Sequence, residues 1–226
     1  MTGFELFVDG FLNGAVAVEW TPAILKGFVL TVFLAVLVVL TGLGAGLLLS
    51  LVRSLGFRFL NAVIVFVVDI LRTIPALVLI VLLYFGAPSI GVVMSGSVST
   101  WLALSLVLMA FSEEIFWAGI TSISKGQWEA ARSTGLGFGR TFFHIILPQA
   151  IRLTIPPLTN RTIGITKGIA LASVVAVQDI LGSAQTAVTF AFNATPLLIA
   201  AAAYIILFLP LVILSRRIET RFHWRR

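Results

Sequence analysis

The sequence predicts an all-α, polytopic membrane protein. Hydrophobic residues make up 59% of the 226-residue chain and charged residues only 11%, whereas a soluble domain is about half apolar and a quarter charged. So little charge cannot cover a water-facing surface. The apolar runs also have the length of helical spans, not the roughly ten-residue alternation of outer-membrane strands. Finally, Lys and Arg gather in a few polar segments, so the net charge of +6 reads as a topology signal and not as a nucleic-acid surface. The whole chain, 1–226, is expected to form one transmembrane domain.

Residues 1–20 carry Glu5, Asp9 and Glu19 and no Lys or Arg, so they do not read as a secretory signal. Phe4, Phe7, Val8, Phe11 and Leu12 recur at helical spacing, which predicts an amphipathic helix lying in the membrane interface. Pro22 suits the first turn of a helix, and the first span is placed at about 22–52. Gly42-Leu43-Gly44-Ala45-Gly46 on it predicts a face for close helix packing. The second span, about 60–85, holds Asp69, Arg72, Thr73 and Pro75. Asp69 and Arg72 share a helix face and can pair, and Pro75 should kink the helix.

Gly86 to Ser99 is uncharged and turn-rich and reads as an outer loop. The third span, about 100–123, contains adjacent Glu113 and Glu114. Neighbours on a helix point about 100° apart, so one carboxylate is expected to reach the pathway or Arg72 and the other the interface. The fourth span, about 145–169, is interrupted by Pro148, Pro156 and Pro157 and made polar by Arg152, Asn160, Arg161 and Lys167. It is expected inside the bundle, with an irregular first half. Residues 170–188 read as a short outer helix or re-entrant piece. The fifth span, about 197–214, carries an Ala200–Ala203 cluster suited to close packing. Arg53 and Arg58, the segment 125–144 and the terminal arginines through Arg226 then fall on one side. Five spans with the N-terminus out and the C-terminus in satisfy the positive-inside rule.

The longest polar interruption runs from Gln127 to Pro157. Helix formers lead through Glu129-Ala130-Ala131 to Gly135, a short basic helix follows, and Ile145-Ile146-Leu147-Pro148 opens the next apolar run. This predicts a folded cytoplasmic hook that transmits force from a partner into the membrane.

Glu129, Ala130, Ala131, Gly135, Ile145, Leu147 and Pro148 resemble the EAA motif of ABC importer permeases, at that family's spacing. Gly126-Gln127, Pro148-Gln149-Ala150, Pro156 to Asn160, Arg72-Thr73-Ile74-Pro75 and Glu114-Ile115 look like the polar amino-acid (histidine, glutamine, arginine-type) branch. The resemblance runs from about Gly27 to Arg217. It implies a type I importer permease in a bacterial inner (cytoplasmic) membrane, forming half of a pathway for a polar amino acid or derivative. A second permease subunit completes the pathway, as a homodimer or heterodimer. Two ABC ATPase subunits and an extracytoplasmic solute-binding protein serve it. ATP and Mg belong to the ATPase, with no cofactor in this chain. In that family the EAA segment is a coupling helix docked on the ATPase. Glu129 would offer a carboxylate, Ala130 and Ala131 close approach, and Gly135 a sharp turn.

The sequence departs from the family pattern in three places. Lys167 is followed by Gly168-Ile169-Ala170-Leu171 in place of a polar run, Glu113 stands where the family has Ala, and Trp117 stands where it often has Arg. Arg72, Glu114, Asn160, Arg161 and Lys167 are the candidate pathway residues, since a cation can hold a carboxylate and an anion an amine. The competing reading is that they pair with one another and stabilise bent helices. No G-x-x-x-x-G-K-[ST] segment occurs, so this chain is not the ATPase. Two histidines far apart and no cysteine give no basis for a metal site. The alternative function is an ion-gradient-driven secondary transporter of small polar solutes using Asp69, Glu113, Glu114 and Lys167. It predicts an internal inverted repeat, which the chain does not display.

Overall fold

A computed structural model describes residues 2–222; His223, Arg225 and Arg226 lie outside the described residues. The described chain is all-helical. Four stretches are long and apolar enough to cross a membrane, or five if one sharply bent helix pair counts as a span.

Helix α1, Gly3–Phe11, is closed at its start by a capping box between Thr2 and Glu5. It buries no side chain and exposes Phe4, Phe7 and Phe11. Helix α2, Gly14–Arg53, begins eight residues before Pro22, which therefore lies inside the helix and not in its first turn. The Asn13 side chain decides the start, accepting from the N–H groups of Ala15 and Val16 at 3.1 and 3.2 Å. The α1–α2 corner is tied to the far end of the chain: Ala194 N–H donates to the Gly10 carbonyl at 2.9 Å, and Asn193 Nδ2 to the Asp9 carbonyl at 2.7 Å.

The second predicted span is more than kinked. Helices α3, Arg58–Thr73, and α4, Ala76–Val81, are bent by 100° across Ile74 and Pro75. Pro75 lacks the N–H that would continue the ladder, and Ile74 before it is extended (φ −74°, ψ 126°), as a residue preceding proline prefers. The 16 residues of α3 reach about 24 Å, short of the ~30 Å hydrocarbon core. The chain continues through a π turn, Leu82–Gly86, and a 3-10 turn, Ala87–Ile90. Helix α5, Gly96–Ser122, starts inside the expected outer loop, capped by Ser95.

After α5 come two short helices, α6 (Lys125–Ser133) and α7 (Phe138–Thr141), a π turn (Phe142–Ile146) and α8 (Leu147–Thr166). Helix α8 runs unbroken through Pro156 and Pro157. The irregularity falls instead at its two ends. The π turn precedes Pro148, with Leu147 N–H reaching back to the Phe142 carbonyl, and a 3-10 segment, Lys167–Val175, follows. Ala176 then adopts a left-handed conformation (φ 59°). Helix α9, Ile180–Ala191, starts on the Asp179 side chain, which accepts from Gly182 N–H at 2.9 Å. Ile180 and Ala184 pack against Ile24 of α2 and against Ala200 and Ala203. The last two lie on α10, Thr195–Phe222, so the alanine cluster does serve close packing.

The central seam joins α2 to α5. A Cβ on Gly42 would stand 2.7 Å from Leu108 Cβ, and one on Gly46 2.7 Å from the Met109 carbonyl. The four-residue spacing puts both glycines on one face, where a missing side chain lets two backbones approach. Polar links follow the same seam: Ser112 Oγ donates to the Gly42 carbonyl at 3.2 Å, and the Thr41 and Ser105 hydroxyls lie 2.7 Å apart. Leu34, Val38, Leu104 and Leu108 form the apolar centre with Ile169 and Ala172 of the 3-10 segment.

Gly46→Ala should therefore destabilise the protein by about 1–3 kcal/mol through overpacking, read as a lower midpoint of thermal unfolding in detergent. Gly44→Ala, where an added Cβ meets nothing within 4 Å, should leave that midpoint unchanged or raise it slightly, because Ala is the better helix former.

Candidate functional site: the hook and the polar helix faces

Between α5 and α8 the chain folds into a compact hook. Helix α6 carries Glu129, Ala130 and Ala131. Glu129 and Ala130 are exposed, whereas Ala131 is buried. Of the two alanines, only Ala130 can meet a partner; Ala131 faces the hook's own interior. Gly135 closes the turn after α6 at φ +84°, a left-handed conformation that penalises any side chain. Its N–H donates to the Arg132 carbonyl at 3.0 Å.

An aromatic stack braces the hook. Trp128 lies 5.4 Å from Phe138 and 6.2 Å from Phe142, and Phe138 lies 6.2 Å from Phe142, measured between ring centroids. Those separations fall in the range where aromatic pairs attract beyond their area burial. Phe142 and Ile146 then pack with Ile120 of α5 and Ala150 of α8, and Leu51 of α2, Ile145 and Leu147 pad the same cluster. Ile145 and Leu147 thus lie behind the hook, supporting it, while Pro148 is exposed beside them. Only Ile123 and Ser124 separate α5 from α6. The aromatic stack was not singled out in the sequence, although Phe138 and Phe142 stand one helical turn apart.

The five candidate pathway residues divide into two groups. Arg72 Nη2 lies 2.6 Å from Glu114 Oε2, and its Nη1 lies 3.6 Å from Asp69 Oδ1. The Arg72 guanidinium also sits 5.3 Å from the Phe111 ring centre, and Arg161 stacks on the same ring at 3.8 Å. Phe111 thus sits beside a cluster of two cations and two carboxylates, Asp69 and Arg72 of α3, Glu114 of α5 and Arg161 of α8. Asn160, one residue from Arg161, points elsewhere: its Nδ2 donates to Glu219 of α10 at 2.8 Å. Lys167 lies on that side too, with Nζ 5.7 Å from the Phe208 ring centre. A polar cleft of about 370 Å³ there is lined by Asn160, Lys167, Ser215, Arg216 and Glu219, among others. Among the described residues, Arg161 and Lys167 make no ion pair.

The two adjacent glutamates do separate, but not as the sequence predicts. Glu114 takes Arg72. Glu113 does not seek an interface: it is fully buried, and Arg53 Nη1 lies 3.1 and 3.3 Å from its two carboxylate oxygens. The Arg53 guanidinium also stands 4.4 Å from the Trp117 ring centre. In the sequence Arg53 registers only as one of the positive charges that set orientation.

This arrangement can be placed among known proteins. The family described as binding-protein-dependent transport system inner membrane component matches residues 39–224. The chain belongs to that family. It is the transmembrane permease component of an ABC transporter and not the ATPase, a description that does not fit an ion-gradient carrier. A probable glutamine ABC transporter permease protein of Bacillus subtilis, GlnM, is 34% identical over 97% of this chain and 96% of its own length. The arginine transport system permease protein ArtQ of the same organism is 31% identical over 93% and 97%. A crystal structure of an amino acid ABC transporter with histidines superposes with a TM-score of 0.83, at 30% identity, covering 90% of this chain and 96% of that one. The MetNI methionine transporter in an inward-facing conformation, at 18% identity and a TM-score of 0.67, shares the fold.

In this permease Gly135→Ala should cost about 1–2 kcal/mol locally, because the position is left-handed. Hydrogen exchange should then accelerate in α6 and α7 while α2 keeps its protection.

Proposed function

We propose that this permease forms half of the translocation pathway of an importer for a polar amino acid or amino-acid derivative, and that its hook is the surface on which a cytoplasmic ATPase acts. The observation that carries the reading is the construction of the hook. It exposes Glu129 and Ala130 on one short helix while its aromatic interior is packed onto α5 and the end of α2. A push on α6 therefore meets packed side chains and not a loose loop. The positive-inside rule puts Arg53, Arg58 and the hook on the cytoplasmic side, where an ATPase resides. ATP and Mg would be held by that subunit.

The amino-acid class is supported by the relatives, named for glutamine and arginine, and by the polar groups on α8. Arg161 and Lys167 are exposed and unpaired among the described residues. Unpaired cations within a spanning helix do not face lipid; they face a partner helix or a wet pathway. A second permease subunit covering the exposed faces of this segment would enclose Arg161 beside Phe111 and Lys167 beside Asn160 and Glu219, giving at either place a cation for a substrate carboxylate. A homodimer and a heterodimer are equally compatible with that face. An extracytoplasmic binding protein would deliver the cargo to the side opposite the hook.

The test is reconstitution in liposomes with the partner ATPase and binding protein. Glu129→Arg should abolish the ATP-dependent uptake of labelled substrate while the permease still inserts and folds; uptake at the unaltered rate would overturn the role of the hook. Arg161→Ala should lower uptake by about tenfold, the equivalent of one charge-assisted hydrogen bond of roughly 1.5 kcal/mol. Unchanged uptake would remove Arg161 from the pathway.

A further inference from the structure

Two residues at which the sequence leaves its family's pattern, Glu113 and Trp117, converge on Arg53. They stand one turn apart on α5 and hold the same guanidinium, that of Arg53, the last residue of α2. Glu113 is fully buried, and the Arg53 side chain is only 19% exposed. This is a directed arrangement: both carboxylate oxygens lie against one guanidinium nitrogen, and the guanidinium carbon lies over the Trp117 indole, 4.4 Å from the ring centre.

Its position gives it a consequence. Along the α2–α5 seam, α2 offers Gly42, Gly46 and Ser50, all buried. Glycines bring the backbones together in the middle of the seam, where the Thr41–Ser105 and Ser112–Gly42 hydrogen bonds set the register. At the hook end the contact changes character. Leu51 joins the apolar cluster beneath the hook, and two residues later Arg53 reaches into α5. Packing an apolar pair of similar volume here would hold two resting helices at least as well as an ion pair, because burying charge carries a desolvation penalty. What the ion pair adds is register at the hook end, beyond the Thr41–Ser105 and Ser112–Gly42 links. A slide of α5 along α2 would leave Glu113 buried without a counter-ion, whereas apolar contacts re-form in the next position.

We propose that Arg53, Glu113 and Trp117 form a clamp that fixes the register of α2 against α5 beside the hook, so that hook displacement carries both helices together. These are positioning residues; none is assigned to substrate or to the ATPase surface. The proposal rests on the reading of the hook as the element that an ATPase moves.

The test compares substrate transported per ATP hydrolysed in the full reconstituted transporter. The variants are Arg53→Lys, Trp117→Leu, the double change Arg53→Met with Glu113→Leu, and Glu129→Arg in the hook. Arg53→Lys keeps the charge and loses the planar guanidinium that lies over Trp117. The double change keeps the interior free of a stranded charge, so it is the variant most certain to fold. All three clamp variants are expected to assemble with unaltered basal ATP hydrolysis and a severalfold lower transport-to-hydrolysis ratio. An unaltered ratio in the double variant would overturn the clamp, because an apolar pair would then suffice. If Glu129→Arg uncouples while the clamp variants do not, the clamp alone fails. If Glu129→Arg leaves coupling intact, the hook reading fails and the clamp falls with it.

Discussion

Close approach of the α2 and α5 backbones is the constraint on which the rest of this fold depends. Apolar side chains alone gain little by leaving lipid for another apolar surface, so helix association in a membrane relies on tight packing and polar links. Gly42 and Gly46 supply the first, and Ser112, Thr41 and Ser105 the second. Most of the other helices are hung on that pair. Helix α9 packs on the first half of α2, where Gly27 leaves room for the Asp179 carbonyl. Helix α3 packs Ile64 and Val68 against Ala110 of α5, with Leu49 and Val52 of α2 beside them. The hook rests on the ends of both long helices.

The ionised groups obey a related rule. In a medium that cannot solvate charge, a carboxylate needs a counter-ion or hydrogen-bond donors; buried Asp179 has the second, accepting from Gly182 N–H and the Tyr204 hydroxyl. Glu113 and Glu114, neighbours in sequence, satisfy that rule with different arginines on different helices. That separation gives α5 two faces with different tasks. One is welded to α2 through Arg53; the other opens towards Arg72, Phe111 and Arg161, where Arg161 keeps its charge unpaired among the described residues. On our reading the first face is mechanical and the second meets cargo. Helix α5 joins them to the hook through a two-residue connection.

Much of this was legible in the sequence because it depends on local pattern. Composition and run length gave the membrane-helical class. Helix formers, Gly135 and the following proline outlined the hook, and the run Gly42 to Gly46 marked a packing face, though neither its partner α5 nor which of its glycines make the contact. The misses share a cause as well. The Asn13 cap outweighed Pro22 as the start of α2, since an interior proline is tolerated when the rest of a 40-residue helix propagates past it. The 100° bend at Pro75 could be read as a kink but not sized. Which hook alanine faces outwards depended on an aromatic stack formed by residues ten and fourteen positions apart. Arg53 and Glu113, 60 residues apart, form a pair that spacing rules cannot reach. Those rules see only neighbours one helical turn away.

The central claim is that the hook, the end of α5 and the end of α2 move as one body when the ATPase acts. Because the chain has no cysteine, cysteines for spin labels can be introduced cleanly, at exposed Arg140 on α7 of the hook, not on the Glu129–Ala130 surface of α6, and at exposed Leu55 just beyond α2. Pulsed electron resonance on the assembled transporter, with and without a non-hydrolysable ATP analogue, gives the distances directly. The account predicts that the distance between the two permease hooks shortens with nucleotide while the distance from position 140 to position 55 within one doubly labelled subunit stays the same. A 140-to-55 distance that changes as much as the hook-to-hook distance would contradict it.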